Sequence, residues 1–268
     1  MQIEKLSLNT ATLKPCTLQQ VVDLCVANDI PAIGPWRDKV QEVGVEHAAK
    51  MIHSAGLKVS GLCRGGFFVA DNNHNWDDNK KAIDEAAVLK ADCLVIVAGG
   101  MIAGNKNLAD THKYIQEGLE KMTEYGKQVG VPIALEPLHP MYAADRCSIN
   151  TLGHALDICE AIGEGIGVAI DAYHVWWDPD LDNQIKRAGE QNRILGYHVC
   201  DWRVPTTDML LDRGMMGDGA IDLKTLSQKV TSAGYEGFVE VEIFSERLWK
   251  EAPETVVKRT MEQFVKAV

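Results

Sequence analysis

Residues 94–98 read LVIVA, residues 133–138 read IALEPL and residues 168–171 read VAID. Runs this short and this apolar are what parallel strands need when helices cover both faces of their sheet. The same kind of run recurs in both directions from these three. The full set of candidate strands is Lys5–Thr10, Ala32–Trp36, Lys58–Cys63, Cys93–Ala98, Pro132–Leu138, Gly167–Asp171, Leu195–Cys200 and Phe238–Phe244. Longer segments with helical periodicity lie between them: Leu18–Asn28, Val45–Ser54, Trp76–Lys90, Tyr114–Val129, Thr151–Ile162, Leu181–Ala188, Leu223–Ala233 and Glu254–Val268. In Tyr114–Val129, for example, Ile115, Leu119, Met122 and Tyr125 fall on one helical face. Gly56, Gly130, Gly163 and Gly234 follow helical segments directly, where a left-handed cap suits glycine. Eight strands alternating with eight helices predict one (β/α)8 TIM barrel, an α/β fold, over residues 1–268. A doubly wound open sheet is the alternative, but no GxGxxG follows the first strand.

Composition narrows the function. The chain has 268 residues, 46% of them hydrophobic and 24% charged, enough to bury a large core. Its net charge of −11 argues against gripping a phosphate backbone, so no nucleic-acid partner is expected. Seven scattered cysteines without a CxxC pair read as small buried hydrophobes in a reducing compartment. The opening MQIEKLSLNT lacks the basic and apolar regions of a signal peptide. The most apolar run, Cys93–Ala103, is too short to span a bilayer, so no membrane partner and a cytoplasmic location are expected.

In such a barrel the active site lies at the carboxyl ends of the strands. The late strands end in polar groups. ALEPLH carries Glu136 and His139, VAIDAYH carries Asp171 and His174, YHVCDW carries His198 and Asp201, and VEVEIF carries Glu240 and Glu242. A glutamate inside IALEPL is costly to bury unless it is paired or bound to a metal. Two glutamates, an aspartate and an imidazole form a mostly hard donor set, suited to one divalent ion: Mn²⁺ first, with Mg²⁺, Co²⁺ or Zn²⁺ as alternatives. Any one of these residues alone reads as structural. Polar groups on four adjacent strand ends read as one metal site.

On these motifs the chain resembles the xylose isomerase-like superfamily of sugar phosphate isomerases and epimerases, a group related to endonuclease IV. The likeness runs along essentially the whole length and is clearest from Glu136 onward. The glutamate in ALEPLH, the Asp and His of DAYH, the histidine in YHVCD, the glutamate in VEIFSE and the loop RGMMGDGAID match the family's pattern. The resemblance implies a metal held by Glu136, Asp171, His198 and Glu242 and acting as Lewis acid on a sugar carbonyl, with an enediolate stabilised. It further implies Glu136 and Glu242 as the acid–base pair on opposite faces of the substrate, with His174 and Arg213 holding hydroxyls or the developing oxyanion.

One departure bears on the reaction. Epimerases of the family continue after the strand-five glutamate with Asn, Arg and an acidic residue, whereas this chain reads EPLHPMYAADR. His139 then becomes a candidate base, and the alternative function is a lyase or deglycosidase that cleaves 3-keto glycosides by β-elimination. Trp176 and Trp177 would stack on the sugar or its aglycone. The structural reading makes His139 a hydrogen-bonder behind the ligands and the tryptophans a cap on the barrel.

Other residues carry weaker signals. Arg37 and Arg64 end strands two and three and could bind an anionic group, or pair with acidic residues nearby. The loop Gly65–Asn75 suits a lid, or a dimer interface through Phe67 and Phe68. Asp201 could support a ligand, and Glu240 lies deeper and is not read as one. His47, His53, His112 and His154 fall on helical patterns and read as surface or packing residues. The expected partner is a small-molecule sugar, with a homo-oligomer or an accessory subunit left open. A DNA-repair nuclease would need more histidines and a basic face, and a non-catalytic sugar-binding barrel would not need both glutamates.

Overall fold

Each apolar run finds a parallel neighbour, and the register of the pairs curls the sheet into a barrel. The computed structural model describes residues 1–268. Its strands are β1 (Leu6–Asn9), β2 (Ala32–Gly34), β3 (Lys58–Val59), β4 (Leu62–Gly66), β5 (Leu94–Val97), β6 (Ile133–Leu135), β7 (Ile166–Asp171), β8 (Ile194–Val199) and β9 (Val239–Val241). They form one parallel sheet in the order β3-β2-β1-β9-β8-β7-β6-β5-β4. The expected third strand, Lys58–Cys63, is split. Ser60 and Gly61 interrupt it, so β3 pairs with β2 while β4 pairs with β5. A parallel bridge between Trp36 and Cys63 closes the circle, with Cys63 N donating to Pro35 O at 3.1 Å. Nine strands thus fill eight positions of a nearly closed TIM barrel.

The helices are α1 (Leu18–Ala27), α2 (Arg37–Val43), α3 (Val45–Ser54), α4 (Trp76–Leu89), α5 (Leu108–Val129), α6 (Leu152–Ile162), α7 (Ala172–Val175), α8 (Leu181–Glu190), α9 (Leu223–Ser232) and α10 (Pro253–Ala267). Local chemistry sets their ends. Thr17 and Gln20 form a reciprocal capping box on α1. Asn107 accepts from Ala109 N and starts α5 six residues before its strongest periodicity. The short α2 and α7 were not legible as separate helices.

One cluster of 68 buried hydrophobic residues fills the barrel and the layer beneath the helices. Phe68 belongs to it and is fully buried. Its ring lies so close to Gly118 that a Cβ there would come within 2.5 Å. The Gly65–Asn75 segment is therefore anchored under α5, and Phe68 offers no face to a lid or a partner. All seven cysteines are buried and unpaired, and no helix is long and apolar enough to cross a membrane.

Candidate active site

Parallel pairing puts Asp171 beside His198, and His198 beside Glu240, in neighbouring strands. The carboxyl ends of β6 to β9 therefore turn their polar residues into one buried layer. Glu136, Asp171, His174, His198, Arg213, Glu240 and Glu242 are all at most 6% exposed. Ligating atoms of Glu136, Asp171 and His198 lie within 4.8 Å of one another. His198 Nδ1 stands 3.1 Å from Glu136 Oε1, yet neither atom completes a hydrogen bond and both are buried. Two unsatisfied polar atoms, one from a carboxylate and one from an imidazole, together with the second carboxylate, Asp171, fit a divalent ion, since buried polar atoms otherwise find partners.

Glu242, the fourth expected ligand, stands outside that trio. Its Oε2 is 3.3 Å from Arg213 Nη1, which also reaches Asp171 Oδ2 at 3.2 Å. A guanidinium nitrogen lies between the two carboxylates that were expected to share a cation. Glu242 Oε1 accepts from Trp36 Nε1 at 3.1 Å and from Asn9 Nδ2 at 3.1 Å. Both oxygens are thus fixed.

Charge is strongly coupled in this layer. Burial pushes the carboxyls of Glu136, Asp171 and Glu242 up, while His198 and Arg213 pull them partly back. Burial opposes the charge on His198, but Glu240, Glu136 and Glu242 together raise its pKa to about 10. Burial also works against Arg213, and Cys200, Asp171 and Glu242 keep it protonated. Burial and then Arg213 push His174 well below its ordinary value. Arg213 Nη2 is 3.2 Å from His174 Nε2, and a guanidinium can only donate, so the imidazole nitrogen accepts from Arg213.

Above this layer opens a cavity of about 250 Å³. Glu136, Glu242, His174, Arg213 and Arg64 line it, together with Trp36, Tyr142 and Arg146. Two expected residues do not. His139 is half-buried behind His174, stacked on Trp202 with ring centroids 4.9 Å apart, and its Nδ1 accepts from Met141 N. The ring packs among tryptophans and does not line the cavity, while the His139 backbone N donates to His174 Nδ1 at 3.3 Å. Trp176 packs against the core with its ring 5.9 Å from Trp202 and is not among the residues that line the cavity. Trp177 donates Nε1 to His174 O.

Three further residues resolve differently from their motif. Arg37 pairs with Glu85 at 2.6 Å and with Asp78 at 2.8 Å, so it has no charge to spare for a ligand. Asp201 accepts from Gly217 N, Gly219 N and Ile221 N and tethers the glycine loop that follows Arg213. Glu240 accepts from Asn9 and Ser60 in a tight buried network. Gly34 makes room for it, since a Cβ there would come within 2.2 Å of Glu240 Oε1. Asn9, Trp36 and Arg146 were not expected. Asn9 and Trp36 stand at the ends of the first two strands, where the rule applied to the late strands would have found them.

The model of a family described as xylose isomerase-like TIM barrel matches residues 20–267. An inosose isomerase of Bacillus velezensis is 27% identical over 274 residues, covering 96% of this chain and 95% of its own. A crystal structure of a protein from Sinorhizobium meliloti 1021 superposes with a TM-score of 0.96 at 51% identity, over 99% of both chains. The IolI protein, solved with a bound zinc atom, shares the fold at a TM-score of 0.82 and 21% identity, over 98% of both chains.

Proposed function

This chain belongs to the xylose isomerase-like TIM-barrel family, and on that premise we propose that it is a divalent-metal-dependent isomerase or epimerase of keto-sugars, sugar phosphates or related polyhydroxy ketones. The observation that carries the reading is the pair of buried glutamates, Glu136 and Glu242, opening into one cavity from strands with two others between them. The likeness to an inosose isomerase over nearly all of both chains supports the same class.

Glu136, Asp171 and His198 would hold the ion, Glu242 would become the fourth ligand by giving up its Oε2 contact with Arg213, and Mn²⁺ is the ion we assign. Bound there, a divalent ion supplies Lewis-acid polarisation of the substrate carbonyl. The chain's own groups do the rest. One glutamate takes the proton from the carbon beside the carbonyl, and the electron pair moves onto the carbonyl oxygen. The other glutamate returns a proton to the enediolate. Burial raises both carboxyls toward neutrality, as groups that exchange protons near pH 7 require. Arg213 donates toward the developing oxyanion while remaining charged. Asn9 and Trp36 fix the angle of Glu242.

The test is hydrogen–deuterium exchange at the carbon next to the ketone of scyllo-inosose and D-fructose, followed by NMR with the manganese-loaded protein. Glu136→Gln and Glu242→Gln should each slow exchange by about 10²-fold or more. Both variants within a few-fold of wild type would overturn the reading.

A further inference from the structure

Arginines at the mouth of the barrel divide into two kinds. Arg37 is matched to Asp78 and Glu85, and Arg213 to Asp171 and Glu242. Arg64 and Arg146 are matched to nothing. Both line the cavity, and neither guanidinium makes an ion pair or a side-chain hydrogen bond. Arg64 instead lies over the Phe67 ring at 3.9 Å, and Arg146 is 5.9 Å from the Tyr142 ring. Aromatic faces attract a cation but leave its N–H donors free. Lys14 lines the same cavity, over Trp249, and is likewise without a carboxylate.

This arrangement is costly as it stands. Burial, and next the neighbouring charge of Arg146, push the pKa of Arg64 down to about 10. The chain carries 38 acidic side chains against 27 basic ones, so carboxylates to pair with these arginines were plentiful. Two cations facing one cavity without a counter-charge, in an acidic protein, form a place for an anion that comes and goes. Building on the function proposed above, we propose that the substrate carries an anionic substituent, carboxylate or phosphate, held by Arg64 and Arg146 at the mouth while its ketone reaches Glu136 and Glu242. Arginine suits that task because its planar fork meets either anion through paired hydrogen bonds. Arg213, engaged with the carboxylates below, is left for the reacting end.

The test compares three probes of similar size: D-fructose, D-fructose 6-phosphate and 5-keto-D-gluconate. Binding is measured by titration calorimetry, and α-proton exchange by NMR in deuterium oxide. At least one anionic probe should bind about tenfold or more tighter than D-fructose. In Arg64→Gln and Arg146→Gln the anionic-to-neutral ratio should fall towards one, with circular dichroism checking the fold. Preference for the phosphate or for the carboxylate identifies the substituent. Equal binding of all three probes, or variants that keep the wild-type ratio, would overturn the proposal. Binding is read separately from turnover. Tight anion binding without exchange would sink the isomerase reading and leave the anion site standing, and exchange without anion preference would do the reverse.

Discussion

The side-chain amide of Asn9 donates to two carboxylates at once, Glu240 Oε1 at 2.5 Å and Glu242 Oε1 at 3.1 Å. An amide nitrogen has two hydrogens, so both contacts are satisfied by one residue. Glu240 is further held by the Ser60 hydroxyl, which itself pairs with Ser7 Oγ at 2.7 Å. The catalytic candidate Glu242 is thereby tied to a polar network at the root of the barrel.

Asn9→Ala should strip both carboxylates of a donor. A buried acceptor left unsatisfied costs about 1–3 kcal/mol, so urea denaturation should show a loss of that size. Ketone α-proton exchange should fall with it, since Glu242 keeps only Trp36 on Oε1. A variant as stable and as active as wild type would show that the network is idle.

Metal uptake should release protons. With its pKa raised to about 10, His198 is protonated in the metal-free protein at pH 7, and it must lose that proton to ligate. Affinity for Mn²⁺ should therefore weaken as pH falls. Calorimetry in two buffers of different ionisation enthalpy should give at least about one proton released per ion at pH 7. Asp171→Ala and His198→Ala should each weaken binding at least about tenfold. Without metal the trend in stability is the opposite. The favourable contribution of a raised histidine is complete below its unfolded value of about 6.5 and is lost as pH rises through about 10.

His139→Ala tests whether elimination needs this imidazole. Its ring stacks on Trp202 outside the cavity, so the loss should be one of packing, about 1 kcal/mol. α-Proton exchange should stay within about threefold of wild type, far from the 10²–10⁴-fold typical of a lost general base. A hundredfold loss with metal still bound would restore the base role.

Arg37→Met probes the paired arginine. Glu85 is 4% exposed and accepts from Arg37 Nε at 2.6 Å, so removing the cation leaves it only Gln41 at 2.9 Å and Lys81 at 3.7 Å. The cost should fall at or below the about 3–5 kcal/mol of a broken buried pair. The melting temperature should drop by several degrees, and the anion preference assigned to Arg64 and Arg146 should be retained.

The barrel and the late strand ends were legible because their signals are local. An apolar run such as IALEPL announces its burial, and a charge within it announces a site. The early half of the site was harder to see. Asn9 in LSLNT reads as an ordinary polar strand residue, and its partners lie more than 230 positions away. Nothing in the periodicity around Arg37 and Arg64 shows that Asp78 and Glu85 belong to the first and leave the second bare. His139 was misread for a related reason. Sequence places it at the end of the strand, but the ring's direction follows from contacts with Trp177 and Trp202 in later loops.

The break between β3 and β4 gives the barrel two walls of unequal stiffness. On one side β7 and β8 run six residues each and pair Asp171 with His198 beyond a register shift at Val168 and Ala169. On the other, Trp36, Cys63 and Arg64 border a joint closed by one bridge and Pro35 O. The joint thus has less ladder than any neighbouring pair of strands to hold the residues that border the cavity. A substitution at Trp36 would reach Glu242 through their hydrogen bond, whereas Arg64 has no such tie to the carboxylates and is the position along the joint where the cavity can be reshaped at least cost to them.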